Sequence, residues 1–386
     1  MRLLNREEKL FCEILKDPFK IESLLTDEFL NFLKKTKLSC LLYSLSLKNR
    51  FNIPKTLKES IRRDYIINFS KQLMQLKEII YLASLFRENN IDVIFLKGPL
   101  LSKEIYGDEG ARRCGCDIDF IIKKEDYINI DKILKKEGYI RHRESFFRKI
   151  RFSNQVFLYL SPNKTPLDLH IKLFSGVMLL DLFSQLKDES FKRYSFLTIS
   201  ETKINILSKE ILFIYLCMLF CKEEYSRSRF QYLVDLYFFL KKYKKELDRQ
   251  YLLEQINKNR LNIYVLFSLD FLRYYFSFDF TELYKNIDID KIHKFFIYWA
   301  IPKYWQNEYK KLRLRKYGFL AIVFSGGYLF NLFRNILFIF KISYQYFCVE
   351  VNSKDNFKTF LGHILFFFKR TFSKNPRFFT LKNFKS

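Results

Sequence analysis

Hydrophobic positions in the first part of the chain recur with the spacing of amphipathic helices. Apolar residues three or four apart run through residues 1–85, and Pro54 precedes the longest such stretch, from about Lys55 through Phe86. Proline fits the start of a helix, where its missing N–H would have no intrahelical partner. The pattern therefore predicts a helical N-terminal region that ends in one long helix.

Short apolar runs replace the helical spacing near residue 90. Ile91–Leu96 is rich in β-branched and apolar residues and predicts a buried strand, which ends at Lys97-Gly98. Pro99 suits the first turn of a following helix. Such a helix directs backbone N–H groups and the positive end of its dipole at whatever lies beside Gly98, so the turn suits an anion, above all a phosphate.

Further strands are predicted between this helix and residue 171. Asp117 and Asp119 alternate with apolar residues that lead to Ile122, which predicts a strand with both carboxylates on one face. Two carboxylates so placed repel each other unless a cation lies between them. Gln155–Leu160 and Pro166–Ile171 flank a turn-rich insert and predict a β-hairpin.

Helical spacing returns from about residue 180 to residue 299. The whole pattern predicts an α+β fold, in which a small mixed β-sheet core is flanked by N-terminal and C-terminal helical regions. The predicted units are an N-terminal helical region, the sheet core, a helical domain and a basic, aromatic-rich helical C-terminal region, at residues 1–85, 86–178, 179–300 and 301–386.

Positive charge is concentrated at the C-terminal end of the chain. The formal net charge is +26, and residues 301–386 hold 16 Lys and Arg against three acidic residues. Such an excess favours a polyanionic partner, but no recognised RNA-binding motif supports nucleic acid. Aromatic residues beside the basic clusters suit the headgroup region of an anionic membrane, which predicts peripheral attachment through residues from about 310 to 386.

The uncharged run Tyr317–Phe333 has 17 residues, against the roughly 20 of a typical membrane-spanning helix. Either a buried helical hairpin or a membrane-contacting segment would explain it.

The seven cysteines show neither a disulfide framework nor zinc-site spacing, which predicts reduced thiols. Charges near Met1 interrupt any signal-peptide core. These features predict a cytoplasmic protein, peripheral on the inner face of the membrane if it attaches.

One set of motifs resembles a known family. Leu96-Lys97-Gly98, then a helix, then Arg113 four residues before Asp117-Ile-Asp119 is similar to the uncharacterised nucleotidyltransferase family of the DNA polymerase β-like superfamily. The resemblance covers roughly residues 50–240. It implies that the sheet core is a nucleotidyltransferase core.

The resemblance also implies the site residues. Asp168, in an Asp-Leu-His that looks like the family's third motif, would complete a three-carboxylate site with Asp117 and Asp119. These three residues would be catalytic and would hold Mg²⁺, in a site for two ions about 3.5–4 Å apart. The predicted nucleotide-binding residues are Lys97, Gly98, Arg113 and Lys222.

The implied activity is metal-dependent transfer of a nucleoside monophosphate from a nucleoside triphosphate to an unknown acceptor hydroxyl or phosphate. The family's paired histidines are absent near Lys222, and Pro99 stands where the superfamily usually has serine. Both departures favour an alternative, a catalytically weak or inactive membrane-surface interaction protein on the same fold. An RNA-modifying transferase is a third reading, and it predicts tRNA binding that weakens steeply with salt.

Overall fold

The computed structural model describes nine stretches of the chain, at residues 6–16, 26–49, 53–141, 155–171, 173, 182–222, 229–259, 261–278 and 287. All of them belong to one compact unit. The predicted C-terminal region 301–386, with its membrane contact, lies outside the described residues. Among the residues described, no helix is both long enough and apolar enough to cross a membrane.

The N-terminal part is helical, as its spacing predicts. It forms α1 (Arg6–Lys16), α2 (Asp27–Thr36), α3 (Ser39–Asn49) and the 34-residue α4 (Lys55–Glu88). The first two helices pack against a helix late in the chain: the rings of Phe11 and Phe32 lie 6.0 and 5.8 Å from that of Phe230.

A seven-stranded mixed sheet follows in the described chain. Its strands are β1 (Val93–Phe95), β2 (Ile118–Ile122), β3 (Ile140–Arg141), β4 (Gln155–Leu160), β5 (Pro166–His170), β6 (Tyr194–Ile199) and β7 (Thr202–Leu207). Their spatial order is β3-β4-β5-β2-β1-β7-β6. β2 runs parallel to β5 and β1 parallel to β7, and the other pairs are antiparallel. The predicted hairpin of β4 and β5 is confirmed.

Helices surround this sheet. They are α5 (Gly98–Tyr106), α6 (Tyr127–Lys136), α7 (Leu182–Lys192), α8 (Lys209–Lys222), α9 (Arg229–Tyr243), α10 (Arg249–Lys258) and α11 (Asn262–Phe276). The predicted α+β class, a mixed sheet core with helical regions before and after it, is confirmed. The division at residues 85, 178 and 300 stays a prediction.

The prediction of a wholly helical domain over residues 179–300 is wrong at residues 194–207. This segment forms the antiparallel hairpin of β6 and β7. Its two turn residues, Ser200 and Glu201, have φ values of 45° and 68°, and two consecutive positive φ values match the twist of a tight hairpin. Because β7 also pairs with β1, the sheet draws strands from beyond the predicted core.

The two faces of the central strands differ in character. Side chains alternate along a strand, and one face of β2 presents Ile118, Phe120 and Ile122 to a buried cluster that includes residues of α4 and α6. Asp119 therefore points to the opposite face. All five residues of β2 are buried, so this carboxylate lies within packed surroundings and not on an open edge.

Candidate active site

The register of β2 and β5 brings two of the three predicted carboxylates together, those of Asp119 and Asp168. Asp119 is the direct neighbour of Asp168 across this parallel pair, and Ile121 is the neighbour of His170. Side chains two residues apart share a face, so Asp119, Asp168 and His170 all project from the same side of the sheet. One ligand atom from each of the three lies within 4.8 Å of the others.

Asp119 lies between two polar partners. The Nε2 atom of His170 is 2.8 Å from its Oδ1, and the Nζ atom of Lys97 is 3.3 Å from each of its two oxygens. Burial alone would raise the pKa of Asp119. Hydrogen bonding by His170 and the charge of Lys97 outweigh burial and lower that pKa to about 2. Asp119 is therefore ionised at neutral pH.

Lys97 supplies positive charge at the point where the carboxylates meet. Burial disfavours its ammonium form, but the nearby Tyr215 hydroxyl of α8 and the carboxylate of Asp119 raise the pKa of Lys97 above its ordinary value. Burial also raises the pKa of Tyr215. The cation that paired carboxylates need is thus present within the chain itself.

Gly98 begins α5 with φ of +65°, a conformation that side chains other than glycine rarely adopt. A Cβ atom built at Gly98 would meet no described atom within 4 Å other than those of its chain neighbours and its own helix backbone. Among the described side chains, none caps this end of α5. The turn therefore offers open space beside a helix N-terminus, which suits an anionic group.

Asp117 lies one residue before β2 and is half-buried. A Cβ atom on Gly115 would come within 2.3 Å of its Oδ1 atom, so the carboxylate occupies space that only glycine leaves open. Arg113 has an exposed side chain, and its carbonyl accepts a hydrogen bond from Gln231 at 3.1 Å. Lys222 is the last residue of α8, and its side chain is not among those described.

Three amide side chains on α4 hold the loop that leads to Asp117. Asn68 donates to the carbonyls of Gly110 (2.9 Å) and Arg112 (3.0 Å), and Gln72 donates to the same Arg112 carbonyl (2.5 Å). Gln75 donates to the carbonyls of Gly115 and Asp117, both at 3.2 Å. The spacing of 68, 72 and 75 places the amides on one helix face.

A second charged cluster lies between this loop and α9. The Nε atom of Arg112 is 2.8 Å from Oδ2 of Asp235, and the Tyr106 hydroxyl is 2.6 Å from the other oxygen of Asp235. Asp235 is completely buried, and burial raises its pKa although Arg112 and Tyr106 oppose the rise. Asp235 therefore has a structural pairing with Arg112 and Tyr106.

Sequence reasoning missed several groups at the site. It singled out Arg113, whereas the neighbouring Arg112 makes the buried ion pair. It assigned no role to a polar face of α4, although the periodic amides Asn68, Gln72 and Gln75 were a visible signal of one. Tyr215 lies in an apolar run of α8 and gave no signal.

The residues present at the sheet face fit a divalent cation. Asp119 and Asp168 offer hard carboxylate oxygens, and His170 offers an imidazole nitrogen close by. His170 is only 6% exposed, and within the described part of the chain its Nδ1 atom has no hydrogen-bond partner.

Two solved structures show a distant likeness. The crystal structure of an antigenic nucleotidyltransferase-like protein from Paracoccidioides brasiliensis is 15% identical, with a TM-score of 0.31, over 48% of this chain and 88% of that chain. The solution structure of the antibiotic-resistance factor ANT(2'')-Ia is 12% identical, with a TM-score of 0.31, over 52% of this chain and 95% of that chain. Likenesses this weak do not identify a substrate.

No curated protein matches the chain. The family model described as "Uncharacterised nucleotidyltransferase" matches residues 22–277, which is more than half of the 386 residues and includes every site residue named above. The chain therefore belongs to the uncharacterised nucleotidyltransferase family.

Proposed function

We propose that the protein is a metal-dependent nucleotidyltransferase, which moves a nucleoside monophosphate from a nucleoside triphosphate to an acceptor hydroxyl or phosphate. The observation that carries this proposal is the pairing of β2 with β5. It sets Asp168 opposite Asp119, and Lys97 joins Asp119 to the uncapped start of α5. Carboxylates on one side and an anion-binding turn on the other suit a metal-bound triphosphate.

Asp117, Asp119 and Asp168 would hold the divalent ions, with magnesium as the expected metal and two ions as the expected number. When bound, the ions would neutralise triphosphate charge and stabilise both the attacking and the leaving oxygen. His170 keeps the Asp119 carboxylate oriented through its 2.8 Å contact, as groups around a metal ligand commonly do.

The triphosphate would lie beside Gly98, where the start of α5 directs its dipole at a space in which no described side chain outside the turn comes within 4 Å of the Cβ position. Lys97 adds an ammonium at the same turn, and the exposed side chain of Arg113 would contact a phosphate oxygen. Lys222 at the end of α8 completes the proposed nucleotide-binding set. Positive charge fixed beside the departing pyrophosphate stabilises its developing negative charge.

The acceptor would approach from the side of Asp168, which is half-buried at the sheet face. A carboxylate oxygen of Asp168 would take the proton from the acceptor hydroxyl as the hydroxyl oxygen attacks the α-phosphorus. The fold does not choose among acceptors, because related chemistry on one fold serves many substrates. A cytoplasmic location and membrane attachment through residues 310–386 remain part of this proposal and rest on sequence alone.

The proposal is tested by incubating the full chain with cell extract and each labelled nucleoside triphosphate in the presence of Mg²⁺ or Mn²⁺. We expect label to be transferred to an acceptor found by mass spectrometry. Asp168→Asn, which keeps the shape of the side chain, is expected to abolish transfer. Calorimetry with nucleotide and metal is the second measurement, and absence of metal-dependent binding would favour the non-catalytic alternative.

A further inference from the structure

We propose that Lys97 acts as a stand-in for the divalent cation: its ammonium occupies the cation position at Asp119 in the ion-free protein, and ion binding releases it toward the triphosphate. The inference rests on the proposed function and assigns to one side chain two successive partners. It makes ion binding and nucleotide binding cooperative through Lys97.

The position of the ammonium is the first argument. The Nζ atom of Lys97 lies at the same distance, 3.3 Å, from Oδ1 and from Oδ2 of Asp119. An equal distance to both oxygens places the ammonium in front of the carboxylate, where a cation that both oxygens ligate would bind. His170 contacts Oδ1 as well, so both oxygens of Asp119 already have a partner. An incoming ion must therefore compete for them.

The freedom of Lys97 to leave is the second argument. Its side chain is 28% exposed, whereas that of Asp119 is 6% exposed. Lysine carries its charge on a flexible four-carbon stem, so the ammonium can move without any backbone change. Next to it, the space at Gly98 holds no described atom within 4 Å of the Cβ position, apart from those of its chain neighbours and of its own helix backbone. That space is where the triphosphate lies in the proposed function.

Charge decides the direction of the exchange. A dication is attracted to Asp119 and Asp168 more strongly than a monocation, and it repels an ammonium held at the same carboxylate. The displaced ammonium gains a new partner only when phosphate oxygens are present beside Gly98. Ion and nucleotide therefore each favour the other's binding, and this coupling is reciprocal by thermodynamic necessity.

The test uses Lys97→Met, which keeps the length of the side chain and removes the charge. Mn²⁺ alone, titrated into the full chain and followed by electron paramagnetic resonance, is expected to bind about tenfold more tightly to Lys97→Met than to the unaltered protein, a change of about 1.4 kcal/mol. At saturating Mn²⁺, a non-hydrolysable nucleoside triphosphate is expected to bind more weakly to the same variant. A purely structural role of Lys97 would weaken both.

Lys123→Met is the matched control. Lys123 pairs with Asp92 at 3.1 Å beyond the opposite end of the β1–β2 pair, so its loss changes the net charge equally but removes no competitor from Asp119. We expect its Mn²⁺ affinity to be unchanged. Lys97→Arg keeps a cation in place, and its Mn²⁺ affinity is expected to stay close to that of the unaltered protein. Lys97→Gln replaces Lys97→Met should the latter not fold.

The outcomes distinguish a failure of the stand-in role of Lys97 from a failure of the proposed function. Mn²⁺ binding that is equal or weaker in Lys97→Met overturns the stand-in role and leaves the proposed transferase function intact. If neither the unaltered chain nor Lys97→Met binds Mn²⁺, the metal site itself is absent and both proposals are overturned.

Discussion

Two aspartate–cation pairs, Arg112–Asp235 and Lys97–Asp119, differ in burial and in the distance between their charged groups. Arg112 and Asp235 are 5% and 0% exposed at the side chain, and their closest atoms are 2.8 Å apart. Lys97 is 28% exposed and lies 3.3 Å from both oxygens of Asp119, which is 6% exposed. The Arg112–Asp235 pair is buried on both sides and has a short contact, and we call it the closed pair. In the Lys97–Asp119 pair the contact is longer and the lysine side chain is partly exposed.

The remaining contacts of each pair agree with this difference. Asp235 also accepts a hydrogen bond from Tyr106, and the guanidinium of Arg112 lies 5.2 Å from the ring centroid of Tyr232. A buried pair with additional partners on both members holds its surroundings in one arrangement. Lys97, by contrast, is partly exposed, and we propose that it exchanges its partner. An aspartate–cation pair is thus structural in one place and part of the proposed catalytic site in the other.

Breaking the closed pair is expected to have the largest effect on the free energy of unfolding. Arg112→Met leaves the carboxylate of Asp235 buried without its cation, which costs about 3–5 kcal/mol. Urea unfolding followed by circular dichroism measures this loss. The double variant Arg112→Met/Asp235→Leu is expected to recover most of it, because neither charge then remains buried. A loss below about 1 kcal/mol, typical of surface pairs, would contradict the closed arrangement.

Removing the loop anchor on α4 comes second. Asn68→Ala leaves the carbonyl of Gly110 without its side-chain donor and weakens the support of Arg112, at a cost of about 1–3 kcal/mol in unfolding free energy. Asn89→Ala, at the exposed end of the same helix, is the control and is expected to change stability by no more than about 0.5 kcal/mol. Equal losses would show that the anchor adds nothing.

Removing the cation of the Lys97–Asp119 pair is expected to lower the free energy of unfolding by a smaller amount. Lys97→Met removes a partner that is partly exposed, and Asp119 keeps its contact with His170, so we expect a loss of about 1 kcal/mol or less. The same urea experiment compares this value directly with that of Arg112→Met. If the two losses were alike, Lys97 would be as structural as Arg112, and the contrast between the pairs would disappear.

The smallest stability effect is expected for Gly115→Ala. The new methyl group meets the carboxylate of Asp117, which is the end of a rotatable side chain and can turn away. We therefore expect a change in unfolding free energy within about 0.5 kcal/mol. Transfer is nevertheless expected to fall about 100-fold, because a displacement near 1 Å at a reacting site has that effect.

A second variant checks that this loss runs through Asp117. In the Gly115→Ala background, Asp117→Asn is expected to cause little further loss of transfer, although it causes a large loss on its own. Additive losses in the double variant would mean that Gly115 acts on another part of the site.

Local spacing was sufficient for much of the fold. The apolar run before Lys97-Gly98 predicted β1 and α5, and the turn-rich insert between residues 160 and 166 predicted the hairpin of β4 and β5. The helices from α8 to α11 all lie within residues 180–299, where helical spacing predicted them. These features depend on neighbours along the chain, which sequence periodicity reports directly. The hairpin of β6 and β7 was missed because it lies within mainly helical surroundings and its turn, Ser200-Glu201, contains no glycine, proline or asparagine.

The sequence by itself determined which residues could carry the chemistry: Asp119 with Asp117 two residues before it, Asp168 on another strand, and a glycine turn before a helix. Only the tertiary structure decided how they are paired. The partners of Asp119 lie 22 and 51 residues away along the chain, and those of Asn68 lie 42 to 46 residues away. Such contacts depend on strand register and helix packing, which bring distant segments together and leave no periodic trace in either segment. For this reason Arg113 stood out in the sequence, while burial and distance made Arg112 the structural residue and Lys97 the cation beside the carboxylates.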